Sequence, residues 1–384
     1  MKVLAVHNHY QVAGGEDRVF DLETELLEEN GYDVRRLTLN NDEIVGVGKK
    51  VSTLLQTPWS IRGRRVVGSV LENDRPDIVH VHNFFPLFSP SIFKACRDHG
   101  VPVVMTCHNF RVLCPTATFV LNGRIDEGSL RRPALRLVPK RFFRNSLAGS
   151  LAVAAMVDFN KWRGTWVRDV SAFITLTKFA KSRFVAGGIP ADKIFVKPNS
   201  ISLKDYPKKD HSIEGGAVFV GRLSPEKGVD TLLAAWEKSE VPLTIIGEGR
   251  PADYGRIGPN VRFVGKQPPE AVRSHMRSAS MLVMPSRCYE GFPMTLLEAY
   301  ASGLPVIASR IGSLEELVEN NHTGLLFPVG DSDALRKCVV SLARDPGMAS
   351  RLAANGRRLV ETAFSPPANL ARLASIYQSV IEAT

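Results

Sequence analysis

The sequence predicts an α/β protein with two Rossmann-like domains, each built on a doubly wound parallel sheet, facing each other across a cleft. Three observations predict this class. Short apolar runs alternate with helical patterns along most of the chain, which is the order of βαβ units. The same alternation occurs twice, on either side of a polar segment. The length of 384 residues is enough for two or three domains.

The first domain is predicted over residues 1–200. Its strands are expected where an apolar run ends at a polar or turn residue, and its helices where apolar residues recur at helical spacing. The strand candidates are 2–7, 33–39, 78–83, 103–108, 172–177 and 194–198. The helical patterns between them cover 16–30, 49–72 with an interruption, 89–99, 147–170 and 178–186.

A linker is predicted over 201–216, because this stretch is polar and contains lysines, a proline and two glycines. The second domain is then expected over 217–365. A last helix over 366–384 is expected to pack back on the first domain. The strand candidates of the second domain are 217–223, 243–247, 261–265, 281–285, 304–309 and 325–328.

Composition narrows the class of protein. The net charge of +10 and the pI of about 9.4 favour an acidic partner. No acid occurs from 44 to 71 or from 128 to 157, and both segments carry several Lys and Arg residues among apolar ones. This pattern fits contact with an anionic membrane, and it equally fits a solvated basic face.

Location follows from other features of the composition. The five cysteines, without ligand spacing, predict reduced thiols in the cytoplasm. The start of the chain does not read as a signal peptide, and no apolar window is long enough to span a bilayer. We therefore expect a cytoplasmic protein, soluble or peripheral on the inner face of the membrane.

Gly14 and Gly15 follow the first strand in the motif AGGED. They permit close approach of a ligand to the backbone, although a plain strand-to-helix turn explains them equally well. Neither GxGxxG nor GxxxxGK[ST] is present, which disfavours a dinucleotide fingerprint and a P-loop.

Histidines mark the ends of two neighbouring strands. His108 closes the fourth strand in TCHN, where it could bind a ligand or be satisfied by backbone. His80 and His82 share one face of the third strand. A metal pair is conceivable there, but the sequence shows no third ligand, so we assign His80 to structure and His82 to the lining of the cleft.

The segment GRLSPEKG joins a strand to a helix in the second domain. Beginning at Gly221, it places Arg222 and Lys227 beside a helix start, which suits a diphosphate. Glu226 could pair with one of these cations. A solvated charged turn is the alternative, and the next motif in the same domain favours the ligand site.

That next motif runs from Met281 to Arg310. A buried strand leads through a loop to a helix opened by Pro293, so unpaired N–H groups face outward as an anion site. Glu290 lies in the loop and Glu298 on the helix. We expect these two carboxylates to have different roles, since one is in a loop and the other is surrounded by apolar neighbours.

These motifs resemble those of the family 4 retaining glycosyltransferases, which have the GT-B fold. Glu290-Gly-Phe-Pro with Glu298 eight positions later is similar to the E-x7-E motif of that family, and GRLSPEKG is similar to its donor-phosphate loop. GGED and TCHN match as well, in order along the chain. The resemblance implies a hexosyl- or related glycosyltransferase of the EC 2.4 class.

The resemblance also implies roles for individual residues. Arg222 and Lys227 would hold the donor diphosphate, Glu290 the donor sugar, and Glu298 the ribose, while His108 would contact the sugar from the first domain. The catalytic set would be Glu290, His108, Lys227 and Arg222. The donor-binding set would add Gly14, Gly15, Gly221, Val264, Gly265, Gly291, Phe292, Pro293, Met294, Thr295, Leu296 and Glu298.

The expected reaction moves a sugar from a nucleotide-sugar to a saccharide acceptor in polysaccharide or glycolipid biosynthesis. Contact of the basic segments with a membrane would make that acceptor lipid-linked. Members of the family retain the anomeric configuration, and no enzymatic nucleophile is assigned. No metal and no cofactor are expected, because cations and a helix dipole can stabilise the departing diphosphate. Two alternatives stay open: a nucleotide-sugar epimerase of the same fold, and a basic nucleic-acid-binding protein, although nucleic-acid-binding signatures are missing.

Overall fold

The computed structural model describes residues 1–11, 14–207, 215–255 and 257–383. The chain forms two compact units. Unit 1 contains Met1–Leu121, Asp126–Pro198 and Leu370–Thr384, and unit 2 contains Asn122–Ile125 and Asn199–Asn369. Residues 208–214 of the predicted linker lie outside the described residues, as does Ala13 of the AGGED motif.

Unit 1 is built on a parallel six-stranded sheet in the order β2-β1-β3-β4-β7-β8. Its strands are β1 (Lys2–His9), β2 (Asp33–Asn40), β3 (Ile78–Val81), β4 (Val103–Cys107), β7 (Ala172–Thr175) and β8 (Ile194–Val196). Two short strands, β5 (Val120–Leu121) and β6 (Arg124–Ile125), form a separate hairpin. The helices are α1 (Gly15–Glu29), α2 (Gly46–Gln56), α3 (Ile61–Asn73), α4 (Ser91–Asp98), α5 (Leu147–Arg163), α6 (Thr165–Arg168) and α7 (Lys178–Ala186).

Unit 2 is built on a second parallel six-stranded sheet in the order β11-β10-β9-β12-β13-β14. Its strands are β9 (Ala217–Val220), β10 (Leu243–Ile246), β11 (Val261–Gly265), β12 (Met281–Met284), β13 (Val306–Ser309) and β14 (Gly324–Phe327). The helices are α8 (Val229–Trp236), α9 (Pro269–Ser278), α10 (Met294–Ala301), α11 (Gly312–Leu317), α12 (Ser332–Arg344) and α13 (Pro346–Glu361). The predicted class, two parallel sheets with flanking helices, is confirmed.

The last helix, α14 (Pro366–Glu382), contributes to the core of unit 1. Leu373 and Tyr377 are fully buried and pack in one cluster with Val3, Ile78 and Val104 of the sheet. The end of the chain therefore belongs to unit 1, although most of unit 2 lies between it and the rest of unit 1 in the sequence.

The interrupted pattern over 49–72 forms two separate helices, α2 and α3, as expected. Three other local features differ from the sequence-based expectation. The long pattern over 147–170 ends at Gly164, whose φ of +70° stops α5. Pro293 is the residue that precedes α10 rather than its first residue. The hairpin of β5 and β6 was not expected from the sequence.

Among the described residues, no helix is long and apolar enough to cross a membrane. All five cysteine thiols are unpaired, and four of them are buried.

Candidate active site

The two motifs of unit 2 lie at the point where the strand order reverses. β9 pairs with β10 on one side and with β12 on the other. The segment of Arg222 and Lys227 follows β9, and the loop with Glu290 follows β12. Parallel sheets bind ligands outside the carboxyl ends of their strands at such a switch point. The topology therefore places both motifs where a ligand is expected.

Gly228 fixes how closely these two loops approach each other. Its φ is +70°, and a Cβ there would lie 1.9 Å from the carbonyl oxygen of Pro285. The amide of Arg287 donates to the carbonyl oxygen of Glu226 at 2.8 Å, which joins the loops a second time. Only glycine combines this backbone conformation with this contact.

Lys227 and Glu290 form an ion pair with 2.6 Å between Nζ and Oε1. Ser286 Oγ donates to the same oxygen at 2.7 Å. Burial alone would raise the pKa of the Glu290 carboxyl, but Lys227 and Ser286 outweigh it and lower the pKa. Burial would lower the pKa of Lys227, and Glu290 raises it instead. Both groups are therefore charged at neutral pH.

Arg222 has a more open position. Its side chain is 70% exposed, and its guanidinium lies 3.6 Å from Glu226, so Glu226 pairs with Arg222 rather than with Lys227. An exposed ion pair of this kind contributes little to stability. The guanidinium is therefore available to a ligand at low cost.

Helix α10 begins at Met294, directly after the loop. Glu298 is buried, with 8% of its surface exposed, among apolar neighbours of the same helix. Glu298 is therefore not a solvent-facing carboxylate. Val264 and Gly265 are the last two residues of β11, at the same end of the sheet as Gly221, which follows β9.

In unit 1 the AGGED motif contains two acids, Glu16 and Asp17, whose pKa values are shifted in opposite directions. Gly14 and Gly15 are exposed at the start of α1. Asp17 accepts from the amide of Gly14 at 2.8 Å and lies 2.9 Å from His7 Nε2. Burial would raise the pKa of Asp17, and these bonds lower it. Glu16 is different, because burial and the charge of Asp17 raise its pKa to about 8.

His108 extends a buried chain of side chains beneath the ends of β3 and β4. Its Nε2 lies 3.1 Å from His82 Nδ1, and His82 Nε2 lies 3.3 Å from Glu23 Oε1. Burial and His82 lower the pKa of His108 well below its usual value. His80 is fully buried, as expected of a structural residue. His82 is buried as well, with 2% of its surface exposed, which contradicts the assignment of this residue to the lining of a cleft.

The expectation that His80 and His82 lack a third potential metal ligand is also wrong. Glu23 brings a carboxylate oxygen within 4.8 Å of their ring nitrogens. However, Lys197 forms an ion pair with the other oxygen of Glu23. Because an ammonium group already neutralises this carboxylate, the arrangement disfavours a divalent cation.

Glu23, Lys197 and Tyr377 were not found by sequence reasoning. A signal for Glu23 exists, because it lies between Phe20 and Leu27 on the buried face of α1. A carboxylate in an apolar stripe indicates a buried partner. Lys197 and Tyr377 give no local signal, since their partners are distant in sequence.

The two parallel sheets and the motifs at their strand ends are those of the GT-B fold. The model for Glycosyltransferase Family 4 matches residues 12–205, just over half of the chain, and the model for Glycosyl transferases group 1 matches residues 214–345. The chain therefore belongs to glycosyltransferase family 4, as the motifs indicated.

Individual curated relatives match only part of the chain. A phosphatidyl-myo-inositol mannosyltransferase of Mycobacterium leprae is 30% identical over 186 residues, which cover 46% of this chain and 48% of that protein. The chain spans about half the length of the first curated relatives that it matches.

Solved structures share the fold over the whole chain. Sucrose-phosphate synthase from Thermosynechococcus elongatus gives a TM-score of 0.75 at 20% identity, with 100% of both chains covered. The Anabaena protein HepE in complex with UDP gives 0.71 at 18% identity, with 99% of this chain and 100% of that chain covered. At these identities the likeness establishes the GT-B fold.

Proposed function

We propose that the protein is a retaining glycosyltransferase that moves a sugar from a nucleotide-sugar to a saccharide acceptor. The observation that carries the proposal is the Lys227–Glu290 pair at the switch point of unit 2. It places a cation and a carboxylate side by side, as a donor diphosphate and the hydroxyls of its sugar require. Membership of glycosyltransferase family 4 supports this reading.

The residues divide between binding and charge stabilisation. Lys227 and Arg222 hold the diphosphate, and the N–H groups at the start of α10 bind it from the helix side. As the glycosidic bond breaks, negative charge grows on the diphosphate, and these groups stabilise it without a metal. Glu290 accepts hydrogen bonds from the sugar, and Glu298 from the ribose.

The acceptor hydroxyl attacks from the face that the diphosphate leaves, so the configuration is retained without an enzymatic nucleophile. His108 of unit 1 contacts the donor sugar in this proposal. Gly14 and Gly15 leave room for the donor and acceptor at the start of α1.

The test begins with a panel of UDP-, GDP- and dTDP-sugars in a thermal-shift assay, since a ligand that binds only the folded state stabilises it. The sugar that stabilises most is then used in a transfer assay with saccharide acceptors, and NMR of the product reports the anomeric configuration. Glu290→Gln should abolish transfer while the fold survives. Wild-type turnover in that variant, or an inverted product, would overturn the proposal.

The same assay separates the two alternatives. An epimerase converts the nucleotide-sugar without an acceptor. A nucleic-acid-binding protein binds duplex DNA in a salt-dependent manner and does not respond to nucleotide-sugars.

We further propose that the acceptor is lipid-linked and that unit 1 binds an anionic membrane. An apolar–basic face, which we define by α2, the loop to α3, and α5, supports this. α2 buries none of its residues, and Val47, Val51 and Leu55 recur at helical spacing with 49% to 79% exposure. Lys49 and Lys50 lie on the same helix and are exposed.

α5 continues the face with further apolar side chains. Trp162 is 83% exposed, and its ring lies 6.0 Å from that of Phe159. The ring centroid of Phe159 lies 5.9 Å from that of Trp59, which is in the loop between α2 and α3. Exposed apolar groups among cations are typical of helices that lie in a bilayer interface. The mannosyltransferase relative, whose name states a phosphatidyl-myo-inositol substrate, adds support.

Co-sedimentation with phosphatidylglycerol vesicles at low salt tests the membrane proposal. We expect binding that weakens with salt and falls about tenfold or more in Lys49→Glu/Lys50→Glu, since each cation near the surface contributes about 1 kcal/mol. The control, Lys337→Glu/Arg358→Glu, makes the same charge change at exposed sites of unit 2. Equal losses in both variants, or no binding by the wild type, would reject this face.

A further inference from the structure

The buried polar chain of unit 1 consists of Glu23 on α1, His80 and His82 on β3, Lys197 after β8, and His108 after β4. All except His108 have at most 5% of their surface exposed, and His108 is half-buried. Buried polar groups of this kind are costly unless each donor faces an acceptor. This requirement fixes where the protons are.

Glu23 is the charged end of the chain. Burial alone would raise the pKa of this carboxyl, but Lys197 and His82 lower it far below its usual range, so Glu23 is ionised. Lys197 Nζ contacts Oε2. Within the described ranges no hydrogen bond of good geometry reaches Oε1, and the nearest ring nitrogens are His82 Nε2 at 3.3 Å and His80 Nδ1 at 3.5 Å.

Both nitrogens of His80 have other partners. Nδ1 lies 2.6 Å from the hydroxyl of Tyr377, and Nε2 lies 2.7 Å from Thr106 Oγ1. The proton that Oε1 needs must therefore come from His82 Nε2. The rings of Phe20 and His7 also border His82, with centroids 5.3 and 6.5 Å away, and neither forms a hydrogen bond to it in the described structure.

The protonation of His82 then determines that of His108. Lys197 already neutralises Glu23, so a second proton on the buried His82 ring would be a positive charge without a counter-ion, and Nδ1 is bare when Nε2 carries the proton. His108 Nε2, 3.1 Å away, must donate to it. The remaining nitrogen of His108, Nδ1, then carries no proton, because the ring is neutral, and no described residue bonds to it. It is a hydrogen-bond acceptor at the end of the chain.

We propose that Glu23 and His82 are positioning residues that hold His108 in the Nε2–H tautomer, so that Nδ1 accepts a hydrogen bond from a hydroxyl of the sugar. This inference rests on the proposed role of His108 as a contact to the donor sugar. It deepens that role by naming the chemical group: the sugar must offer an O–H there. A deoxy sugar loses this bond, and a carboxylate at that position meets a lone pair and is repelled.

The tautomer can be measured on the full chain by ¹⁵N NMR of labelled histidines, with His108 assigned from the spectrum of His108→Asn. The wild type should show the Nε2–H form. In Glu23→Gln, Lys197 keeps the amide oxygen, so the amide NH₂ faces His82 Nε2 and reverses the relay. His108 should then carry its proton on Nδ1. Glu25→Gln, an exposed change on the same helix, should leave the spectrum unchanged.

Turnover gives a second readout. Glu23→Gln should lower the ratio of kcat/KM for a donor with the hydroxyl to that for the matching deoxyfluoro sugar at least tenfold, because fluorine cannot donate to the bare Nδ1 of the wild type but can accept from the Nδ1–H of the variant. An Nδ1–H form in the wild type overturns the inference even if the variant does not fold. An unchanged tautomer or an unchanged ratio in folded Glu23→Gln also overturns it. The Nε2–H form without turnover of any nucleotide-sugar instead overturns the proposed function and leaves the relay intact.

Discussion

Lys227 and Glu290 show how much a single contact decides in unit 2. Their side chains are 23% and 12% exposed, so water screens the 2.6 Å pair only in part. Because the pKa of Glu290 is lowered and that of Lys227 raised, folding gains stability from the pair between the two ordinary values, 4.5 and 10.5. The gain is lost as pH falls through the folded-state pKa of Glu290 or rises through that of Lys227.

We expect a double-mutant cycle of Lys227→Met and Glu290→Gln at pH 7 to give a coupling energy of about 1–3 kcal/mol. Lys227→Met alone leaves a buried carboxylate without its cation and should destabilise most. Urea denaturation measures each variant. The exposed pair Arg310–Glu315, with side chains 45% and 52% exposed, serves as the control and should couple by less than about 1 kcal/mol. Additive effects of the first two substitutions would contradict the prediction.

For Glu16 the expected change of stability with pH has the opposite sign to that of Glu290, because the pKa of Glu16 is raised and that of Glu290 is lowered. The Glu16 pKa of about 8 lies above the ordinary value of 4.5, because burial and Asp17 disfavour its charge, although the Tyr10 hydroxyl and the Asn109 amide each lie 3.2 Å away. Between these two pH values the unfolded chain loses a proton that the folded chain keeps. Stability contributed by this group therefore falls as pH rises from about 4.5 to 8.

Glu16→Gln should flatten that slope by up to about 1.4 kcal/mol per pH unit. Urea denaturation of the variant and the wild type at several pH values between 5 and 8 measures the difference. The comparison cancels the buried histidines, whose contributions change in the other direction. Glu25→Gln is the control, since it replaces an exposed carboxylate on the same helix. Parallel stability curves for Glu16→Gln and the wild type would disprove the pKa shift.

At the residue scale, the sequence predicted which residues belong to the site better than it predicted which residues contact each other. Lys227 and Glu290 were both recognised, because each lies in a motif at a strand end. Their mutual contact was not foreseen, since each was expected to bind ligand directly. Glu23 was missed although it lies on the buried face of α1. Its partner Lys197 is distant in sequence, and spacing carries no information about such a pair.

At the scale of elements, the position of Lys227 depends on the short loop between β9 and α8. Gly228 closes this loop against Pro285 in a conformation with positive φ. Gly164, with φ of +70° and ψ of 25°, has the same left-handed backbone, and an added Cβ there would meet only the flexible Arg168 side chain, at 3.2 Å. The two glycines therefore separate conformational strain from steric overlap.

We expect Gly164→Ala to cost about 1–2 kcal/mol, the price of left-handed backbone. Gly228→Ala should cost about 1–3 kcal/mol more, because the two loops must move apart. It should also weaken nucleotide-sugar binding through the displacement of Lys227. Thermal unfolding and ligand-induced thermal shifts measure both effects. Equal destabilisation by the two substitutions would show that the loops do not need this contact.

Helices and strands with strong apolar runs could be predicted from the sequence. Those that depend on contacts with other segments could not. The strands of both sheets lie close to their predicted positions because a buried parallel strand must be apolar throughout. The hairpin of β5 and β6 has only two residues in each strand, so no periodicity can develop. The break between α2 and α3 was predicted as an interruption of the helical pattern, but the lack of any buried residue in α2 was not.

At the scale of the whole molecule, the repeated βα rhythm predicted two sheets without specifying their strand orders. The switch point between β9 and β12 depends on the pairing of these two strands, which are far apart in sequence. The basic segments gave the charge of the apolar–basic face, and the structure added the exposed apolar side chains between those charges. The division into units depends on the last helix in a way that composition does not reveal.

Removal of residues 370–384 should therefore affect unit 1 rather than the unit that precedes it in sequence. Leu373, Ile376, Tyr377 and Val380 are at most 6% exposed in the core of unit 1. Each such side chain contributes about 1.5–3 kcal/mol, so their loss approaches the total stability of a domain, about 5–15 kcal/mol. Loss of Tyr377 also removes the hydroxyl partner of His80 Nδ1.

Hydrogen exchange followed by mass spectrometry measures the outcome unit by unit. A chain that ends at Asn369 should lose protection in the peptides of β1, β3 and β4 and keep it in those of β9 and β12. A chain that ends at Glu382, which keeps every buried residue of α14, should behave as the wild type. Protected β1, β3 and β4 in the shorter chain would mean that the sheet of unit 1 is stable without the helix, and that its apolar contacts add little to the folding of this unit.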